Sequence, residues 1–189
     1  MMTVRAARRD DLPVLWTMAT LPNVGATADP SVPLPLPAAS EAPEQFADVA
    51  DPERHFVGAG GCFLVAEADG HVAAMGGFRP RPDHPGRVGV LRVRVHPALR
   101  RRGIGRALMA ALEAEACALG YREAWLDTAT NQPEAMAFYQ SLGYRETGRE
   151  TRPEWHWTLV YHLKELRPAP RVSRRPSASR EASREAGRE

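Results

Sequence analysis

Lysine is almost missing from this chain. Of its 25 lysine and arginine residues only Lys164 is a lysine, a bias that reads as genomic base composition rather than function. Excess charge is also scarce: the formal net charge is +2, too little to build the phosphate-neutralising surface that nucleic-acid binding requires. The pI of 8.8 owes part of its height to a basic tail. There are two cysteines, Cys62 and Cys117. Isolated thiols without paired spacing exclude a disulfide framework and argue against a zinc site, so no metal is expected. No apolar run approaches the ~20 residues that span a bilayer, and the opening residues MMTVRAARRDD lack the apolar stretch of a signal peptide. These absences lead to the expectation of a soluble, cytoplasmic protein with neither nucleic acid nor membrane as a partner.

What remains is enough for one domain. The chain has 189 residues, of which 43% are apolar, sufficient for a genuine core. Thr3–Ala6 reads as a short strand. Asp10 and Asp11 before Leu12-Pro13 mark a helix start, with acids at the positive end and proline in the first turn; Leu12, Leu15, Trp16 and Ala19 follow at helical spacing. Residues 22–43 are rich in proline, including PLPLP, and fit neither regular helix nor central strand. An exposed loop and a lid over a substrate pocket are both open readings of this stretch. A short helix is expected at about 43–49.

CFLVAEADGHVAAMGGFRPRP reads as a hairpin about Asp69-Gly70, with Cys62 opening its first strand. Val88–Val95 alternates as a third antiparallel strand. Gly103–Leu119, which contains Cys117, carries one apolar stripe and reads as a helix closed by Gly120. Arg122–Thr128 is a strand, Pro133–Leu142 a helix, and Glu154–Lys164 a late alternating strand. The tail after residue 167 has almost no large apolar residue and is expected to be disordered. The predicted order is β-α-α-β-β-β-α-β-α-β-β, an α+β domain with a mixed sheet over residues 1–167.

The most informative stretch is VHPALRRRGIGRAL, Val95–Leu108, where a strand runs through three arginines and two glycines into a helix. Glycine lets backbone approach a ligand closely. The free amides of a helix start point outward, and the helix dipole favours an anion there. Arginines on the rim add charge-assisted bonds. This describes a pyrophosphate cradle. It is not the dinucleotide fingerprint, for want of a third glycine, nor a P-loop, for want of Gly-Lys-Ser/Thr.

Val95-His96-Pro97 followed by Arg100-x-x-Gly103-x-Gly105 resembles the acyl-CoA-binding motif of the GNAT (Gcn5-related N-acetyltransferase) family. Asn131, Ala135, Phe138-Tyr139 and Leu142-Gly143-Tyr144 resemble that family's second helix and the turn after it. The likeness covers about Thr3–Leu166. It implies a GNAT-like splayed mixed β-sheet flanked by helices, acetyl-CoA as acyl donor, and transfer of an acetyl group directly to a primary amine of a small molecule or peptide. It implies that backbone near Val93 and Val95 holds the pantetheine arm. The amides of Arg101, Arg102, Gly103, Ile104, Gly105 and Arg106 would hold the pyrophosphate, with Arg100 at the family's polar position and Asn131 near the arm. Dimers are common in such proteins, so a homodimer is in view.

Within that resemblance Tyr139 is the expected acid for the leaving thiolate, since a phenol of pKa ~10 stays protonated at neutral pH. Tyr144 reads as packing. The family's usual glutamate base is missing: the matching position is Gly89, and no carboxylate lies within Val88–His96. Asp127, at the end of the neighbouring strand, and Glu67 are the candidate bases, while His96 before proline reads as structural. Neutralising a lysine-like amine of pKa ~10.4 at pH 7 costs about 4.6 kcal/mol, and an α-amine of pKa ~8 about 1.4 kcal/mol. A weak base therefore favours small amines, amino acids or peptide N-termini. A non-catalytic acyl-CoA-binding module is the alternative.

Overall fold

A computed structural model of the chain describes residues 1–21 and 27–167. The C-terminal tail lies outside the described residues. β1 (Met2–Ala6) passes through a short 3-10 turn into α1 (Leu12–Thr20). A single helical turn, α2 (Ala47–Ala50), and a π-type turn at Glu53–Val57 precede a meander of β2 (Cys62–Ala68), β3 (His71–Pro80) and β4 (Arg87–Val95). Then come α3 (Ile104–Ala118), β5 (Glu123–Ala129), α4 (Pro133–Ser141), β6 (Arg145–Glu150) and β7 (Leu159–Glu165). The strands form one sheet in the order β1-β2-β3-β4-β5-β7-β6. Every neighbouring pair is antiparallel except β4 and β5, which are parallel. The mixed α+β sheet expected from the sequence is the architecture observed.

Local chemistry explains the main joints. Asp69 and Gly70 have φ of 52° and 82°, the two left-handed residues of a hairpin turn whose twist matches its strands. Asp11 does more than sit at a helix start. It caps the Arg8 amide at 2.7 Å and takes both arms of Arg5 at 2.7 and 2.9 Å. Burial pushes its carboxyl up, and these bonds more than reverse that, so it titrates below the ordinary range.

Helices cover both faces of the sheet. Leu108, Met109 and Leu112 of α3 pack on Phe78, Val88 and Leu126. On the other face Leu15 and Met18 of α1, Val49 of α2 and Phe56 pack on Phe63, Val65 and Met75. Each such large side chain contributes about 1.5–3 kcal/mol on burial. Trp16 donates to the Val49 carbonyl at 3.1 Å and joins α1 to α2.

Two irregularities shape the site. β4 and β5 pair only at Arg87–Glu123, Val88–Ala124 and Gly89–Trp125; beyond Gly89 they separate. β4 also bulges: Leu91 faces Gly77 and Arg94 faces Met75, so Arg92 and Val93 together stand opposite Gly76. Arg92 takes φ of 59° there. A Cβ on Gly76 would come within 3.1 Å of Val93 and 3.3 Å of Leu112, so glycine lets the bulge sit down on α3.

Three expectations need correction. The late strand begins at Leu159, not Glu154, because its ladder to β5 ends at Ala129–Leu159. Trp155 and Trp157 do not continue the alternation; they stack on each other at 4.3 Å in the preceding turn, with Arg152 over Trp155. Gly103 is not the first helical residue but the left-handed cap before α3, with φ of 79°.

Of the proline-rich stretch, residues 22–26 lie outside the described residues. The rest is fastened along its length: the Asp29 amide bonds to the Pro97 carbonyl, Thr17 to Pro37 and Ala39 to Pro13. Leu36 is buried. No residue from 27 to 43 is among those lining the cleft described below.

A candidate active-site cleft between two diverging strands

The separation of β4 from β5 opens a cleft of about 1030 Å³. Its walls are the free edges of the two strands, and its ends are the glycine turn and α4. Val93, Val95, Arg100, Arg101, Gly103, Ile104, Gly105, Arg106, Asp127, Asn131 and Tyr139 all line it. Of the expected cofactor-binding residues Arg102 is absent from the lining; its side chain is exposed.

The turn is built for anions by backbone. Arg101 and Gly103 both take positive φ, 65° and 79°, which turns successive amides toward one side. Among the described residues the amides from Arg101 to Arg106 donate to no other backbone carbonyl, while the Ala107 amide is the first to close on the helix, to Gly103. The two glycines have different reasons. Gly103 has open space where a Cβ would go, so its requirement is conformational. At Gly105 a Cβ would meet Phe138 and Val95 at 3.2 Å, so glycine there lets α3 approach α4 and β4. Arg106 reaches Ser141 of α4 at 3.2 Å. An unpaired strand edge, unbonded amides at a helix start and a long open cleft fit a pantetheine diphosphate.

His96 is fully buried. Its Nδ1 accepts the Ala98 amide at 3.1 Å and its Nε2–H donates to the Pro33 carbonyl at 2.9 Å. It is a clip between the end of β4 and the proline-rich segment. Burial pulls its pKa down, against the Pro33 bond.

The candidate acid stands on α4 and the candidate base on β5. Tyr139 packs on Phe138 at 5.3 Å and edge-on to the buried Tyr144 at 5.8 Å. Burial, then the nearby Asp127, drives its phenol far above the ordinary range, so it is a protonated donor at any physiological pH. Solvent reaches Asp127 through the cleft mouth. The surrounding walls still remove enough water to raise its carboxyl pKa, against the pull of Arg81, Arg92 and His162. The other candidate base, Glu67, is not brought here; it pairs with Arg5 at 2.9 Å near the β1 edge. At Gly89 a Cβ would meet Arg81, Arg79 and Trp125 no closer than 3.7 Å. The space beside it is overlooked by the Arg81 guanidinium, which stacks on Trp125 at 4.1 Å.

Sequence reasoning missed several side chains that shape the cleft. Arg92 and Arg94 of β4 line it, as does Trp157. Arg92 forks onto Asp48 at 2.9 and 3.1 Å and lies over Phe46. The available signal was two arginines inside a strand covered on both faces, where charge is costly unless it has a use.

Comparison with known proteins agrees with this geometry. The model of the acetyltransferase (GNAT) family matches residues 31–144. Human N-acetyltransferase 8 is 37% identical over 106 residues, 54% of this chain and 47% of that protein. Mouse N-acetyltransferase family 8 member 3 is 31% identical over 130 residues, 67% of this chain and 54% of that protein. The chain thus spans about half the length of these relatives. Among solved structures, yncA of Salmonella typhimurium, a putative acetyltransferase with its cofactor acetyl-CoA, superposes with a TM-score of 0.65 at 21% identity, covering 89% of this chain and 96% of that one. The ribosomal-protein-S18-alanine N-acetyltransferase of Escherichia coli gives 0.60 at 18% identity, covering 91% and 98%.

Proposed function

The chain belongs to the GNAT acetyltransferase family, and from that premise we propose that it moves an acetyl group from acetyl-CoA to a primary amine of a small molecule or peptide. The observation that carries this reading is the juxtaposition in one cleft of an anion-receiving backbone turn, an unpaired strand edge and two titratable groups, Asp127 and Tyr139.

In this reading the turn from Arg101 to Arg106 binds the diphosphate, with Arg100 at its rim, and the open edge of β4 about Val93 and Val95 holds the pantetheine arm. Asn131 supports the arm from the end of β5. Acetyl-CoA, when bound, supplies a thioester carbon and a sulfur leaving group. Asp127 accepts a proton from the ammonium, so that the nitrogen lone pair is free to attack. The new C–N bond forms, the C–S bond breaks, and its electron pair leaves on sulfur. Tyr139 gives its proton to that sulfur and is restored by the proton lost from nitrogen. Amide, free thiol and one proton result. The reaction uses no metal, and a homodimer is not required by it.

The test is thiol release from acetyl-CoA across an amine panel, with acetyl-CoA binding measured by calorimetry in parallel. Amine-dependent release, reduced about 10²-fold or more in Tyr139→Phe, is the expected result. Tight binding with no release for any amine would replace the enzyme with a non-catalytic acyl-CoA-binding module. Absence of binding would overturn the reading of the cleft itself.

A further inference from the structure

Arg94 sits on β4 just past the bulge and lines the cleft. Its one hydrogen-bond partner among the described residues is the Leu21 carbonyl, 2.9 Å from Nη1, and its guanidinium faces the Phe46 ring at 5.9 Å. Among the described residues no carboxylate pairs with it. Three other half-buried arginines do meet one: Arg5 meets Asp11 at 2.7 Å, Arg87 meets Glu123 at 2.9 Å and Arg92 meets Asp48 at 2.9 Å; Arg79, which lies over the Phe56 ring at 5.8 Å, is outside the cleft. Asp48 is held by both oxygens on the neighbouring Arg92. Burial, and then the positive charge of Arg92 and Arg100, depresses the Arg94 pKa. A guanidinium offers five donors, and a charged group so placed is costly unless an anion arrives.

Its position says which ligand brings that anion. Arg94 lies against the end of α1 and the Phe46 ring just before α2. Those elements cover the face of the sheet opposite to α3, and the phosphate turn belongs to α3. Asp127 also feels the Arg92 end of this cluster. The cleft therefore has a cation-receiving carboxylate and an anion-receiving guanidinium on the sheet face opposite α3, with Arg100 at the rim of the diphosphate turn close enough to Arg94 to act on its charge. We propose that the acceptor is a primary amine that itself carries an anionic group, a carboxylate in the first instance, and that Arg94 receives that group while Asp127 receives the ammonium. This deepens, and rests on, the acetyltransferase reading above. Trp157 and Leu159, which also line the cleft, leave room for an apolar substituent on the same molecule. A free amino acid has this pattern; a diamine does not.

The experiment compares matched pairs: L-phenylalanine with phenethylamine, L-tryptophan with tryptamine, and L-methionine with 3-(methylthio)propylamine. Each is measured for kcat/KM, corrected for its neutral-amine fraction, and for binding to the CoA-loaded protein. Wild type, Arg94→Gln and Arg94→Lys are compared, with acetyl-CoA binding as the check of folding. The expected result is an acid-over-amine preference in wild type that shrinks by roughly tenfold or more in Arg94→Gln, the loss of one charge-assisted bond. Arg94→Lys should retain part of it. The ratio of ratios cancels what the carboxylate does to the amine by itself. If no amine is acetylated, saturable binding of the acids that Arg94→Gln weakens would still uphold the anion subsite while the enzyme reading failed. Equal treatment of acids and amines by wild type in both assays would overturn the proposal. So would an Arg94→Gln protein that loses acetyl-CoA affinity and keeps its acid preference, which would assign Arg94 to the cofactor.

Discussion

Asp127 shows how one residue acquires a role from its surroundings. An aspartate at a strand end ordinarily titrates near 3.9. The cleft walls take water from this one and raise its pKa, and they do so more strongly than Arg81, Arg92 and His162 oppose it. The activity consequence is an acid limb in kcat/KM: transfer falls as pH drops through the raised value, because the protonated carboxyl cannot accept a proton. The stability consequence has the opposite sense. The folded state binds the proton more tightly than the unfolded chain, so stability declines as pH rises between the two values. Asp127→Asn should therefore lose activity at pH 7 by about 10²-fold, lose the acid limb, and melt at a higher temperature than wild type at pH 7 but not at pH 3. An unchanged pH–rate profile would remove Asp127 as the base. The sequence made Asp127 a candidate but could not choose between base and loop cap. The base reading rests on where the cleft opens, and that is set by three register pairs whose β4 members, Arg87 to Gly89, lie far from Asp127 in sequence.

At the scale of elements, motifs carried by turn chemistry were legible and motifs carried by packing were not. Asp69-Gly70 announces left-handed backbone and adopts it, whereas Gly103, read as the first residue of the helix, proves to be its left-handed cap. The bulge at Arg92–Val93 leaves no mark in RVGVLRVRV, because it needs only Gly76 opposite. The Trp155–Trp157 pair mimics strand alternation, since side chains two apart in an extended chain share a side whether or not a neighbour pairs with them. The π-type turn at Glu53–Val57 is too short for any period to show. The glycine turn lends itself to a contrast of causes. Gly103→Ala has room for its methyl but must hold a left-handed φ, which costs about 1–2 kcal/mol. Melting should show that loss and calorimetry a weaker hold on acetyl-CoA, because the amides of the turn rotate with it. A variant that melts and binds as wild type would show that the left-handed turn is dispensable.

The whole molecule is held at the cleft by His96, which joins the end of β4 to the proline-rich segment. Its folded pKa lies below the ordinary ~6.5. Its contribution is complete above the unfolded value and is lost as pH falls through the folded one, when protonation forces Nδ1 to release the Ala98 amide. Between pH 7 and 5 the melting temperature of wild type should drop, and in His96→Gln it should drop less. The buried His162, also lowered by desolvation, accounts for what remains. Identical pH slopes in the two proteins would exclude His96 as the titrating clip. The sequence placed His96 correctly as structural, yet its partner Pro33 is 63 residues away, beyond the reach of any local pattern.

The narrow seam between β4 and β5 has a consequence for how such a protein can change over time. Its two halves meet through three residue pairs, and the gap beyond them is faced with peptide groups. Peptide groups are the same whatever the side chain, so the grip on the diphosphate and pantetheine is largely indifferent to substitution and can persist while the rest of the sequence drifts. In the proposed reading the acceptor wall of Arg92, Arg94, Asp127 and Trp157 is written in side chains and has no such protection. One half of the cleft is an inheritance and the other a variable, and a new acceptor can be acquired by a few substitutions without disturbing the donor.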